Sequence, residues 1–341
     1  MTDTGGYKMS AMRLTVDEIR AARQRLGHLV SITPVQHWRG REIRALMGQN
    51  TEVYLKLELF QQTGTFKARG ALTVMMNLTA EQMRPGVTAF SGGNHAIAVA
   101  YAAQCLGVDA HVVMQRSANW LRVAKARAYG ATVEMAEDGR AAKTRADELA
   151  QTEGRAFIHP FEDPSTVLGT ATLGLEWLEQ TRELDAVIVA IGGGGLMAGV
   201  SSAIRLVSPS TRIFGVEPEG ADVMQRSFTL GTPEEMDQID TIADSLGPPS
   251  AGPLTFALCR RNVDRLVTVS DQEIREAMAL LFFDANLAVE PAGAAATAAL
   301  VGPLREELRG RRVGVLVCGS VIDSATFHQH IQASGKSIPF S

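Results

Sequence analysis

Short apolar runs alternate with longer stretches of helical periodicity along almost the whole chain. Ala110–Met114, Ala186–Ile191, Arg212–Val216 and Val313–Val317 read as strands. The last three are nearly continuous in apolar residues, as expected where a parallel strand is covered on both faces. Helix starts are legible at Thr15-Val16-Asp17-Glu18 and Ser270-Asp271-Gln272-Glu273, which both spell a capping box. This alternation predicts an α/β fold of open, mostly parallel sheets with helices on both faces. Pro248, Pro249, Gly252 and Pro253 mark a loop that reads as a pocket rim rather than a domain break.

A length of 341 residues exceeds a usual single core, so two closely packed domains are expected. The net charge of -4 gives no electrostatic case for nucleic acid or an anionic membrane. No apolar run is long enough to span a bilayer. The first twelve residues lack the apolar core of a secretion signal and read as a tail. Three dispersed cysteines, Cys105, Cys259 and Cys318, suggest neither a disulfide framework nor a zinc cluster and fit a reducing cytoplasm.

Two glycine-rich turns each follow an apolar strand and precede an apolar helix, Ala96–Gly107 after the first and Met197–Val207 after the second. In open α/β sheets such turns lie where ligands bind. Gly192-Gly193-Gly194-Gly195-Leu196 lets consecutive backbone amides approach an anion at a helix N-terminus, which suits a phosphate. One or two glycines would be enough for packing alone. Gly193-x-Gly195-x-x-Ala198, with Glu217 beyond it, also matches a dinucleotide-binding pattern, which keeps a nicotinamide-dependent oxidoreductase as a rival reading. The other turn, Ser91-Gly92-Gly93-Asn94-His95, offers amides, a hydroxyl, a carboxamide and an imidazole. That set suits a carboxylate or a phenolic oxygen, and equally a helix N-cap.

Lys67 lies in Thr63-Gly64-Thr65-Phe66-Lys67-Ala68-Arg69-Gly70-Ala71, a small-residue turn entering a helix. A lone lysine usually sits on a solvated face. Here the apolar Phe66 and the small residues that follow permit close packing, and a desolvated amine is more often neutral and nucleophilic. Cys318 ends the strand Val313–Val317 and reads first as a small buried hydrophobe.

Taken together, these stretches resemble the serine/threonine dehydratase group of fold-type II pyridoxal-phosphate enzymes. Thr33-Pro34-Val35, His159-Pro160-Phe161-Glu162-Asp163-Pro164, Gly215-Val216-Glu217-Pro218, Thr241-Ile242-Ala243-Asp244 and Glu290-Pro291-Ala292-Gly293-Ala294 extend the match over Leu26 to Asp323. The resemblance implies a small domain at 51–155 and a large cofactor-binding domain from 1–50 and 156–341. It implies that Lys67 holds pyridoxal 5'-phosphate covalently and later takes the substrate's α-proton. Phe66 would pack on the cofactor ring, Asn94 bond its phenolic oxygen, and Cys318 face its pyridine nitrogen. Glu290 would belong to the same pocket. Gly192, Gly193, Gly194, Gly195 and Leu196 would cradle the phosphate. Ser91, Gly92, Gly93, Asn94 and His95 would receive the substrate carboxylate. The implied reaction converts L-threonine, L-serine or a related β-hydroxy amino acid, such as hydroxyaspartate or phenylserine, to a 2-oxo acid and ammonia. A cytoplasmic homodimer without a separate regulatory domain is expected.

Departures from the family pattern refine this. Gly92 stands where family racemases carry a second serine, so dehydration is expected well above racemisation. β-Replacement is a further alternative on the same cofactor, and Phe66 and Arg69 resemble the dehydratase form of the lysine segment more closely. A catalytically silent regulator is a third reading, against which the intact Lys67 and Asn94 speak. A neutral thiol at Cys318 would make the cofactor a milder electron sink and favour prompt elimination. Val223 stands where cation-binding relatives place their last acid, after Glu217, Ala221 and Asp222, so no metal is assigned. Ser245-Leu246-Gly247-Pro248-Pro249 replaces a usual glycine and is expected to border the substrate side chain. Arg116, Arg122, Lys125 and Arg127 read as a solvated helix face rather than as a site for a second carboxylate.

Overall fold

The computed structural model describes residues 12–181 and 183–336. The tail read at residues 1–12 lies, apart from Met12, outside them. Ten strands are present among the described residues: β1 (Val35–Trp38), β2 (Glu52–Leu57), β3 (Val87–Phe90), β4 (Ala110–Gln115), β5 (Thr132–Ala136), β6 (Ala156–Phe157), β7 (Ala186–Ala190), β8 (Arg212–Pro218), β9 (Arg265–Val269) and β10 (Arg312–Val317). They form a six-stranded sheet in the order β1-β2-β10-β7-β8-β9 and a four-stranded sheet in the order β5-β4-β3-β6. Every pairing is parallel except β1 with β2.

The near-continuous apolar strands are explained by burial on both faces. Along β7, Ala186, Ile188 and Ala190 face one core, with Ala294, Ala298 and Met278 from the helices Pro291–Val301 and Asp271–Ala285. Val187 and Val189 face the opposite core, with Val200, Met197 and Leu173 from the helices Gly195–Val207 and Pro164–Gln180. In the smaller sheet, Val87, Ala89 and Val112 pack against the helices Lys67–Asn77 and Asn94–Leu106. Val113 and Phe90 pack against Gly139–Glu153 on the other side. Both capping boxes form, Thr15 with Glu18 and Ser270 with Glu273. At the limits of the span 51–155, β2 belongs to the six-stranded sheet, and β6, just beyond it, to the four-stranded one.

Beneath the Lys67 turn lies a fully buried set of charges. Lys56 on β2, Glu58 after it, Arg69 on the helix Lys67–Asn77 and Glu176 on the helix Pro164–Gln180 are each at most 1% exposed. Arg69 spans both carboxylates, with Nε to Glu58 Oε2 at 3.0 Å and Nη2 to Glu176 Oε2 at 3.0 Å. Lys56 Nζ donates to Glu176 Oε1 at 2.6 Å and to the Thr33 carbonyl at 2.8 Å. Burial pulls the Lys56 amine below the usual lysine range even with Glu176 beside it. Two cations and two carboxylates balance, so each is tolerated only while its partners remain. Arg69→Ala should therefore destabilise the fold by about 3–5 kcal/mol, because it strands buried carboxylates. Urea unfolding checks this, and a loss under about 1 kcal/mol would contradict it.

Candidate active site

The chain leaves β2 through a short turn at Glu58–Phe60 and doubles back at Gly64, whose φ of +81° a side chain would strain. The next residues are pinned to the end of β10. Thr65 bridges Gly319, the Phe66 amide donates to the Cys318 carbonyl at 3.2 Å, and the Ser320 amide donates to the Gly64 carbonyl at 3.0 Å. The helix then opens at Lys67. Its Nζ donates to the Pro160 carbonyl at 2.8 Å. Burial of the amine lowers its pKa to about 8. Phe66 packs against the cluster that contains Leu196, Met197 and Cys318.

Ser91–His95 follows β3. The Ser91 hydroxyl accepts the Gly93 amide at 2.9 Å. Asn94 opens the next helix and points its Nδ2 at Glu290 Oε1, 2.7 Å away, and at Ser245 Oγ, 3.2 Å away. Its carbonyl oxygen is buried without a partner. His95 turns its Nε2 to the Ile158 carbonyl at 2.8 Å, so its ring lies in the interior rather than with the Ser91 hydroxyl. Burial, helped by the nearby Lys67 charge, lowers its pKa to about 3 and keeps it neutral.

The Gly192–Gly195 turn joins β7 to the helix Gly195–Val207. Gly194 has a φ of +85°, and no side chain caps this helix. A Cβ on Gly193 would meet the Phe161 ring, and one on Gly194 would come 2.9 Å from Thr255 Cβ. The uncapped first-turn amides and the helix dipole favour an anion without help from a cation. The dinucleotide reading fails here because Glu217 is engaged. Its two oxygens accept the Met224 and Gln225 amides at 2.9 and 2.7 Å. Burial raises its pKa to about 8, against the pull of those two amides.

Cys318 is buried at the end of β10, and its Sγ donates to the Ala292 carbonyl at 3.4 Å. Burial pushes the thiol well above the usual range, so it is neutral. Glu290 is buried between Asn94 and Arg122. Its Oε1 takes Asn94, and its Oε2 takes Arg122 Nη2 at 3.0 Å. Arg122 corrects the sequence reading: it is 4% exposed and turns to Asp244 and Glu290 instead of solvent. Pro160 and Phe161 also gain contacts with the lysine and the glycine turn that their motif alone did not reveal.

Residues 28–319 match the model of the pyridoxal-phosphate dependent enzyme family. The chain belongs to that family. It is 54% identical to the phenylserine dehydratase of Ralstonia pickettii, over 92% of this chain and 95% of that protein. It is 35% identical to the L-threonine ammonia-lyase of Thermotoga maritima, over 91% of this chain and 76% of that one. Its fold superposes on maize serine racemase with a TM-score of 0.86 and 34% identity, covering 94% and 99% of the two chains.

The residues present fit pyridoxal phosphate on three counts. A glycine turn leads into an uncapped helix, the Asn94 carbonyl is buried and unpaired, and a desolvated primary amine stands nearby. The amine's depressed basicity is directly measurable. In the apoprotein, acylation of Lys67 should rise with pH around a midpoint of about 8, because only the free amine reacts. Mass spectrometry of quenched digests reads this, and a midpoint near the ordinary lysine value of about 10.4 would contradict it.

Proposed function

We propose that this family member is an ammonia-lyase that dehydrates and deaminates a β-hydroxy amino acid, giving a 2-oxo acid and ammonia. The observation that carries the reading is the Lys67 amine, desolvated and fixed beside Pro160 and the Cys318 turn. Pyridoxal phosphate, when bound, supplies the electron sink for charge left on the substrate's α-carbon. The glycine turn would hold its phosphate through Gly192, Gly193, Gly194, Gly195 and Leu196. Phe66 would cover its ring, and the Asn94 carboxamide would meet its phenolic oxygen.

Lys67 Nζ is the base at the α-carbon, and its lowered pKa of about 8 leaves roughly a tenth of it free to accept a proton at pH 7, far more than an ordinary lysine offers. The Ser91–Asn94 turn takes the substrate carboxylate on its amides and hydroxyl. His95 supports the turn from behind through Ile158. Cys318 presents a neutral thiol where an acid would hold a full charge, which limits long-lived charge on the α-carbon. Gly92 supplies no acid or base on the far side of the substrate, so the α-carbon is not reprotonated there.

The substrate reading covers L-threonine, L-serine and bulkier β-hydroxy amino acids. Phenylserine stands among them because of the relative that acts on it. The compartment and assembly are read as cytoplasmic and homodimeric. Support for the first is the unpaired state of Cys105, Cys259 and Cys318, and support for the second is the family resemblance alone. Among the described residues no helix is long and apolar enough to cross a membrane.

A 2-oxo acid assay across threonine, serine, phenylserine and hydroxyaspartate tests the activity, with chiral analysis of residual serine alongside. Turnover of at least one of these with under about 1% racemisation is expected, since a missing acid/base costs on the order of 10²–10⁴ in rate. Efficient D-serine formation without 2-oxo acid would overturn the reading.

A further inference from the structure

The helix Trp120–Ala128 packs its Leu121, Val123 and Ala126 on the core of the four-stranded sheet. From its buried side Arg122 reaches across the cleft. Nε donates to the Val321 carbonyl at 3.1 Å, Nη1 to Asp244 Oδ2 at 2.5 Å, and Nη2 to Glu290 Oε2 at 3.0 Å. All three acceptors belong to segments of the larger unit: after β10, after β8, and ahead of the helix Pro291–Val301. A Cβ on Gly93 would collide with Arg122 Cδ, so the absence of a side chain there makes room for the crossing. A planar fork with five N–H groups suits three acceptors lying in different directions. Asn119 adds a second crossing, with Nδ2 to Asp323 Oδ2 at 2.6 Å.

The carboxylate that Arg122 holds is the one that orients Asn94. An ionised carboxylate only accepts, so the Asn94 amide must turn its NH2 to Glu290 Oε1 and present its carbonyl on the other side. That carbonyl is the buried oxygen without a partner. Burial raises the Glu290 pKa, and Arg122 is the strongest group opposing that rise. Without Arg122 that rise loses its strongest opposition, and a carboxyl that gains a proton can donate as well as accept. The amide then loses its reason to face one way.

We infer that Arg122 is a positioning residue: by spanning the cleft to Asp244 and Glu290 it holds the two walls together and fixes which end of the Asn94 carboxamide faces the cofactor. The second half rests on the proposed role of Asn94, and the first half does not.

Arg122→Gln and Arg122→Lys, compared with wild type, test both halves. Hydrogen exchange of the apoprotein reads the walls without any cofactor. In Arg122→Gln, amides at 119–128 and 244–247 should exchange about tenfold faster or more, with Ala186–Ala190 unchanged. In the holoenzyme the cofactor's absorbance band should move and its dissociation constant rise about tenfold or more. Arg122→Lys should lie between, because one ammonium meets only part of the geometry. Exchange within twofold of wild type would overturn the cross-cleft role, and an unmoved band would overturn the orienting role. If Arg122→Gln does not fold, Asp244→Asn serves, since Asp244 is half-exposed and the buried Arg122 keeps Glu290 as its partner. It should still speed exchange at 119–128, and no change there would overturn the cross-cleft role. Wild-type protein that takes up no pyridoxal phosphate would refute the proposed function while the exchange comparison still decides the cross-cleft role.

Discussion

The site is organised by a few backbone hydrogen bonds between two stretches far apart in sequence. Gly64–Phe66 pairs with Cys318–Ser320, so the lysine turn is an extension of the central strand's end. Small residues are needed wherever this junction is crowded. A Cβ on Gly319 would fall 2.8 Å from Thr65 Cγ2 and crowd Glu290, and one on Gly293 would collide with the Gly319 carbonyl. Lysine, thiol and Glu290 therefore keep fixed relative positions because their three backbone segments are hydrogen-bonded to one another. Flexible side chains alone would not secure that geometry.

Charge is handled differently on the two sides of this junction. Below it, Lys56, Glu58, Arg69 and Glu176 neutralise one another in full burial and tie the lysine helix to β2 and to the helix Pro164–Gln180. Across the cleft, Arg122, Asp244 and Glu290 form a second set that joins the two sheets. Between them the Lys67 amine has a backbone carbonyl and a neutral thiol as neighbours. Desolvation therefore outweighs attraction, and its basicity falls. A carboxylate placed beside it would have restored the ordinary charge and weakened it as a nucleophile.

Much of this was legible in the residues. The central strands were readable because both faces are buried, and the glycine turns because their geometry excludes side chains. β1 and β2 were not readable, since Gln36, His37, Glu52 and Lys56 break the apolar pattern. Lys56 is buried only because a carboxylate 120 positions away pairs with it. β8 runs on to Pro218 because pairing with β9 continues there. Arg122 looked like part of a solvated face for the same reason as Lys56: its partners lie 122 and 168 positions away. His95 sits in the turn where it was expected, but its ring serves the interior. Local periodicity reports which face a residue occupies and is blind to distant partners.

The central claim is that Lys67 is the amine that holds the cofactor. Borohydride reduction of the holoenzyme, followed by peptide mass mapping, tests it most directly. The account predicts a reduced pyridoxyl phosphate adduct on Lys67. A cofactor lost on denaturation after reduction, or an adduct on another lysine, would contradict it.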